Sequence, residues 1–180
     1  MIYFKDGDIF KDTSEAIVNA VNCVGVMGKG IALKFKEKYP NNYIMYKTAC
    51  NRKEVKIGKM FICKESSKII INFPTKQHWH NDSKIEYIKE GLKDLVKALQ
   101  SLNIESVAMP AIGCGNGGLS WDIVKKTIKE YLSDVDMSIV VYNPVDIKEN
   151  KGDKMSVNYL VVMEGVEYAR YKQIQKESYS

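Results

Sequence analysis

Ala16-Ile-Val-Asn-Ala-Val-Asn22 runs directly into Cys23-Val-Gly-Val-Met-Gly-Lys-Gly30. The first stretch is mostly apolar and rich in Val and Ile, suited to a strand buried on both faces. The second is a turn-rich loop. Beyond it Ile31, Phe35 and Tyr39 recur at helical spacing, with Lys34, Lys36, Glu37 and Lys38 between them, until Pro40 ends the pattern. A buried strand, a glycine-rich loop and an amphipathic helix, in that order, form the repeating unit of an α/β sheet.

Working outward, Ile2 to Phe4 reads as a short first strand that closes at Lys5-Asp6-Gly7-Asp8. A second helical stretch covers Asn41 to about Arg52, and Lys56 to Cys63 and Lys68 to Phe73 read as strands. Ser83-Lys-Ile-Glu86 has the form of a capping box opening a helix with Ile85, Ile88, Leu92, Leu95 and Leu99 on one face. Strand Ile104 to Met109, loop Pro110 to Leu119, helix Trp121 to Leu132 and strand Ser138 to Tyr142 follow. This alternation predicts an α/β fold with a mainly parallel sheet of about six strands and helices on both faces. Residues 1–142 make that domain. Residues 143–180 form an extension with a charged linker (Asp146 to Lys154), an expected extra strand (Val157 to Met163) and a short helix up to Lys176.

A length of 180 residues suits one domain with its own core. The four cysteines, Cys23, Cys50, Cys63 and Cys114, contain no CxxC pair, so neither a zinc site nor a disulfide framework is expected. No basic segment followed by an apolar run opens the chain, and no apolar run approaches the ~20 residues of a membrane span. A cytoplasmic location without membrane contact is the expectation. The net charge of +5 suits a phosphate-rich partner but also many enzymes of neutral substrates, and the lysines are spread along helices.

The chemistry points to the loops. In open α/β sheets ligands bind beyond the carboxyl ends of the strands. Two such loops are glycine-rich, one with Gly25, Gly28 and Gly30 and the other with Gly113, Gly115, Gly117 and Gly118. Consecutive N–H groups of such loops, backed by helix N-termini, bind anions without side-chain charge, and two facing loops suit a diphosphate. Neither loop is a P-loop. Gly113-Cys-Gly-Asn-Gly-Gly118 fits GxGxxG as a string but follows a late strand, so a redox dinucleotide is not expected, nor any other cofactor. His78 and His80 are two residues apart with no nearby Cys or carboxylate pattern, a poor metal signature, and no metal is expected. Cys114 reads as a small loop-lining residue. Asn22 closes a buried strand, where its amide must either stitch the loop or face a polar ligand. Lys76 lies just after a buried strand in Phe73-Pro-Thr-Lys-Gln-His-Trp-His80, where partial desolvation would lower its pKa.

Four segments carry a family resemblance: Gly7-Asp-Ile9, Val18-Asn-Ala-Val-Asn22, Gly28-Lys-Gly-Ile-Ala32, and Gly113-Cys-Gly115 continuing to Gly118-Leu119. Together they resemble the macrodomain, a three-layer α/β/α module that binds ADP-ribose. Asn22-Cys-Val-Gly-Val-Met-Gly-Lys-Gly-Ile-Ala32 and Asn72-Phe-Pro-Thr-Lys-Gln-His-Trp79 are similar to the DarG-type DNA ADP-ribosylglycohydrolases, antitoxins that reverse thymidine ADP-ribosylation. The resemblance implies site roles. Asp8 would bind the adenine amino group, with Ile9 beside it as a backbone donor. The turns Gly28-Lys29-Gly30-Ile31 and Gly113-Cys114-Gly115-Asn116-Gly117-Gly118-Leu119 would hold the diphosphate and the distal ribose, with Thr75 lining the same site. Asn22 would bind the distal ribose near its anomeric carbon, and Lys76 would be the catalytic lysine.

The resemblance further implies ADP-ribose and ADP-ribosylated DNA as ligands, a cognate DNA ADP-ribosyltransferase toxin as partner, and a monomer. DarG-type antitoxins carry a second, C-terminal domain, whereas the 38 residues after Tyr142 are fewer than an independent domain needs. Related hydrolases of ADP-ribosyl esters on protein Glu or Asp carry an Asp in the second loop, where this chain has Asn116-Gly117-Gly118. That favours a nucleobase N-glycoside over an ester. A module that binds ADP-ribose without cleaving it is the alternative of another class.

Overall fold

The strand read first, β2 (Ala16–Asn22), lies in the middle of the sheet because it has apolar side chains for both of its faces. Ala16 and Val18 pack with Leu92, Leu95 and Ile128 on one side. Ile17 joins Phe35 and Tyr39 on the other, and Val21 joins Tyr46 and Ala49. Pairing on both edges completes its burial.

The computed structural model describes residues 1–144. Its other strands are β1 (Ile2–Lys5), β3 (Phe61–Glu65), β4 (Lys68–Lys76), β5 (Ser106–Met109) and β6 (Ser138–Tyr142). The helices are α1 (Gly30–Lys38), α2 (Pro40–Asn51), α3 (Ile85–Ser101) and α4 (Trp121–Leu132). The six strands run in the order β1-β6-β5-β2-β4-β3, all parallel except β3, which pairs antiparallel with β4 at one edge. Helices α3 and α4 cover one face and α1 and α2 the other. This is the expected three-layer α/β/α sandwich with a mixed, mostly parallel sheet. The expected extension, with its linker, strand and short helix, lies outside the described residues apart from Asn143 and Pro144. Among the described residues no helix is long and apolar enough to cross a membrane.

Several boundaries differ from the expectation, each for a physical reason. The strand expected from Lys56 begins only at Phe61, because Lys59 N–H turns back onto the Lys56 carbonyl at 3.2 Å. Strand β4 continues past Phe73 to Lys76. Its pairing with β3 ends at Asn72, so Pro74 lies where only β2 is alongside. The strand expected from Ile104 starts at Ser106, since Ile104 N–H still closes the end of α3 on the Leu99 carbonyl at 3.0 Å. Helix α2 follows α1 directly rather than following a strand. Its first N–H groups, on Asn41 and Asn42, bond to the Glu65 carboxylate of β3 at 3.3 and 2.8 Å.

The capping box is not formed. Helix α3 starts at Ile85 with Lys84 at its cap and no side-chain cap bond. Ser83 instead donates its N–H to the Gly117 carbonyl at 2.9 Å. The second glycine loop has claimed the residue that the local pattern assigned to the helix.

Candidate functional site

The site is built where β2 and β4 end side by side. Along this pair Val21 stands opposite Pro74, but the next pairing is Asn22 with Lys76, so Thr75 is the extra residue of a bulge. Pro74 has no N–H to give, and the Thr75 hydroxyl donates to the Val21 carbonyl at 3.3 Å. The ladder then resumes, with Cys23 N–H donating to the Gln77 carbonyl at 3.0 Å.

Lys76 is only 8% exposed although it lies at a strand end. Its Nζ donates to the Asn116 carbonyl at 2.6 Å and to the Trp79 carbonyl at 3.4 Å. Burial holds its pKa below the ordinary lysine value, and the negative charge of Asp82 partly offsets that. A neutral, nucleophilic amine is therefore easier to reach here than on a surface lysine.

Asn22, 6% exposed, is committed to its own loop. Its Oδ1 accepts from Val24 N at 3.0 Å and Val26 N at 3.3 Å, while Nδ2 donates to the Val26 carbonyl at 2.7 Å. The Tyr46 hydroxyl donates to the Asn22 carbonyl at 2.6 Å, and Met27 anchors the loop in the core. Of the two roles open to a buried Asn, the side chain shows the stitching one. Gly28 and Lys29 are then exposed, and α1 begins at Gly30 with no side-chain cap bond and no acid in its first turn. Its leading N–H groups are available to an anion.

The second loop closes through Leu119 N–H on the Gly113 carbonyl at 3.0 Å and Gly118 N–H on the Gly115 carbonyl at 3.1 Å. Gly113 and Gly118 hold φ of +74° and +75°, a region that favours glycine. A Cβ on Gly117 would lie 2.4 Å from both the Gly113 carbonyl oxygen and Ser83 Oγ, so no side chain fits there. A Cβ on Gly115 would meet nothing within 4 Å beyond its chain neighbours, so that side of the loop faces open space. Burial pushes the Cys114 thiol up to about 11, which keeps it protonated near neutrality and suits a lining role. Helix α4 follows, also without a side-chain cap bond.

The two loops meet at Asn116. A Cβ on Gly30 would lie 3.0 Å from Asn116 Nδ2, while the Asn116 carbonyl holds Lys76. The start of α1, the two glycine loops and one buried lysine thus converge. Asp8 and Ile9 lie on the α1 side: Asp8 Oδ1 caps a short turn by accepting from Phe10 N at 3.0 Å, and Ile9 packs with Phe35 and Tyr39 in a cluster that Ile31 of the first loop also joins. Residue patterns did not flag Asp82 or Tyr46 and read Ser83 only as a helix cap; Asp82 acts on Lys76 by its charge, Ser83 and Tyr46 through hydrogen bonds to the two loops. His78 and His80 rings stand 4.0 Å apart beside Trp79, and among the described residues no group of three or more His, Cys, Asp or Glu could hold a metal.

Residues 18–128 match the Macro domain family. Over 175 residues the chain is 45% identical to a DNA ADP-ribosyl glycohydrolase of Mycobacterium tuberculosis, an alignment that covers 92% of this chain and 50% of that relative. The chain thus spans about half the length of the curated relatives it matches. The solved macrodomain of Mycobacterium tuberculosis DarG superposes with a TM-score of 0.78 at 49% identity, covering 81% of this chain and 99% of that one. Thermosipho africanus DarTG in complex with ADP-ribose gives 0.77 at 36% identity, covering 80% of this chain and 42% of that one. Motif, topology and family match agree: the chain belongs to the Macro domain family.

Proposed function

We propose that this domain, residues 1–142, cleaves the N-glycosidic bond between ADP-ribose and thymidine in DNA, with Lys76 as nucleophile. The carrying observation is the buried Lys76 amine at the meeting point of the two glycine loops. Similarity to a protein named DNA ADP-ribosyl glycohydrolase, and to a structure holding ADP-ribose, supports the reading. A cognate DNA ADP-ribosyltransferase is the partner it implies.

In this reading the glycine loops and the starts of α1 and α4 hold the diphosphate, and Asp8 and Ile9 hold the adenine. Lys76, once neutral, attacks C1 of the distal ribose. The C1–N bond to the base breaks, the base nitrogen keeps the electron pair and takes up a proton, and the new ammonium sheds one. Ring opening gives an imine between Lys76 and the sugar, which water hydrolyses to ADP-ribose and free amine. Asn22 is a positioning residue that shapes the first loop. Trp79, 54% exposed and with its carbonyl on Lys76, offers a stacking face for the base.

The second loop speaks against protein esters, since Gly117 has no room for the carboxylate that relatives of that kind are expected to use. The test offers the protein an ADP-ribosylated thymidine oligonucleotide, a glutamate-ADP-ribosylated protein, and free ADP-ribose in a calorimeter. Release from DNA that falls by a factor on the order of 10⁴ in Lys76→Ala, with ADP-ribose still bound, is expected. Release from the protein ester alone, or binding without release, overturns the proposal.

A further inference from the structure

A surface groove of about 610 Å³ opens where β2 and β4 end, lined by Cys23, Lys53, Val55, Lys56, Ile57 and Gln77. Two of its lining residues directly follow the site: Cys23 comes after Asn22 and Gln77 after Lys76. The groove therefore lies one residue beyond the Asn22–Lys76 pair, at the ends of β2 and β4. Its other lining residues are two exposed lysines, buried Val55 and half-buried Ile57. Neither Lys53 nor Lys56 takes part in an ion pair among the described residues. No acidic side chain lines the groove.

Lys53 is also in an unusual place. It follows α2 at a φ of +60°, with its N–H on the Cys50 carbonyl at 2.9 Å and Glu54 N–H on the Ala49 carbonyl at 3.0 Å. That is the position after a helix end that glycine or asparagine ordinarily fills. The equivalent place after α3 is filled by Asn103, at a φ of +52°. Arg52 already supplies the cation that a helix C-terminus favours. A lysine held in the left-handed region, facing a groove beside the site, is a strained residue of the kind that marks function.

A base carrying ADP-ribose reaches the buried Lys76 only after leaving its stack, so the strand on either side must pass over the rim. Building on the DNA reading above, we propose that this groove holds the nucleotide flanking the modified base of a single-stranded substrate. Lys53 and Lys56 bind its phosphates, and Val55 and Ile57 underlie its sugar and base.

The test compares wild type with the double variant Lys53→Gly/Lys56→Ala. Glycine relieves the left-handed backbone, so the variant is expected to melt no lower than wild type. Three substrates are used: an ADP-ribosylated thymidine oligonucleotide at several salt concentrations, ADP-ribosylated thymidine as a free nucleoside, and an unmodified oligonucleotide followed by fluorescence anisotropy. For the modified oligonucleotide kcat/KM is expected to fall about tenfold or more, with a shallower salt dependence by about 0.7 per lost phosphate contact. Cleavage of the nucleoside stays unchanged. Equal loss on both substrates, or no loss on the oligonucleotide, overturns the groove but leaves the glycohydrolase reading standing. If wild type cleaves neither, that reading fails and anisotropy decides the groove alone. Weaker binding by the double variant supports it; equal binding, or none by wild type, overturns it. If the variant proves unstable, the charge reversal Lys56→Glu is read in the same way.

Discussion

Asn22 and Lys76 are register partners across β2 and β4, brought opposite each other by the single extra residue, Thr75. Without that bulge Asn22 would pair with Thr75, and Lys76 would move one place along, with its side chain on the other face. The slip therefore sets the amine at the Asn116 carbonyl. It begins at Pro74, the one β4 residue that cannot donate to the ladder.

Asn22 is expected to control binding as well as rate. Asn22→Ala would strip partners from Val24 N–H, Val26 N–H and the Val26 carbonyl, part-buried bonds of about 0.5–1.5 kcal/mol each. The first glycine loop should loosen, and calorimetry should show ADP-ribose affinity falling about tenfold or more together with turnover. An unchanged affinity with a lost rate would instead put the Asn22 amide at the reacting carbon.

The pH dependence follows from the neutral amine. Cleavage should rise with pH through the pKa of Lys76, which burial has already brought below 10.5. Asp82 works against that lowering, because its negative charge favours the ammonium. Asp82→Asn removes the opposing charge, so the acidic limb of the kcat/KM profile should move to lower pH. A limb that moves to higher pH would show that Asp82 does not act on Lys76 through its charge.

Trp79 should matter for the base and not for the nucleotide. An exposed indole that stacks on a base contributes about 1–3 kcal/mol. Trp79→Ala keeps the carbonyl that holds Lys76, so free ADP-ribose should bind as before. Cleavage of ADP-ribosyl thymidine should fall about 5- to 100-fold in kcat/KM. A parallel loss of free ADP-ribose affinity would show the indole serving the loop instead.

What was legible in the sequence follows from how local each feature is. Both glycine loops lie between an apolar strand and a periodic helix, and that pattern is complete within about 30 residues. The burial of Lys76 is not local, since it depends on a carbonyl 40 residues further on. Ser83 shows the same limit. Its motif is a correct local signal for a helix start, yet Gly117 offers it a better partner in the folded chain. The Glu65 cap on α2 also joins distant residues, and no spacing rule relates a strand carboxylate to a helix start 24 residues before it.

Two glycines of one loop separate folding from binding. A Cβ on Gly115 meets nothing within 4 Å and the residue does not need a positive φ, so Gly115→Ala should leave stability within about 0.5 kcal/mol. Its methyl would still project into the space above the loop, and ADP-ribose affinity should drop. Gly117→Ala meets the Gly113 carbonyl and Ser83 Oγ at 2.4 Å, so it should cost about 1–3 kcal/mol in thermal unfolding before any ligand is added. Gly117→Asp meets the same clash with a larger side chain. It should therefore disrupt the loop rather than confer ester hydrolysis, and a Gly117→Asp protein that kept its melting temperature and released ADP-ribose from glutamate would show that the loop backbone yields to a side chain there.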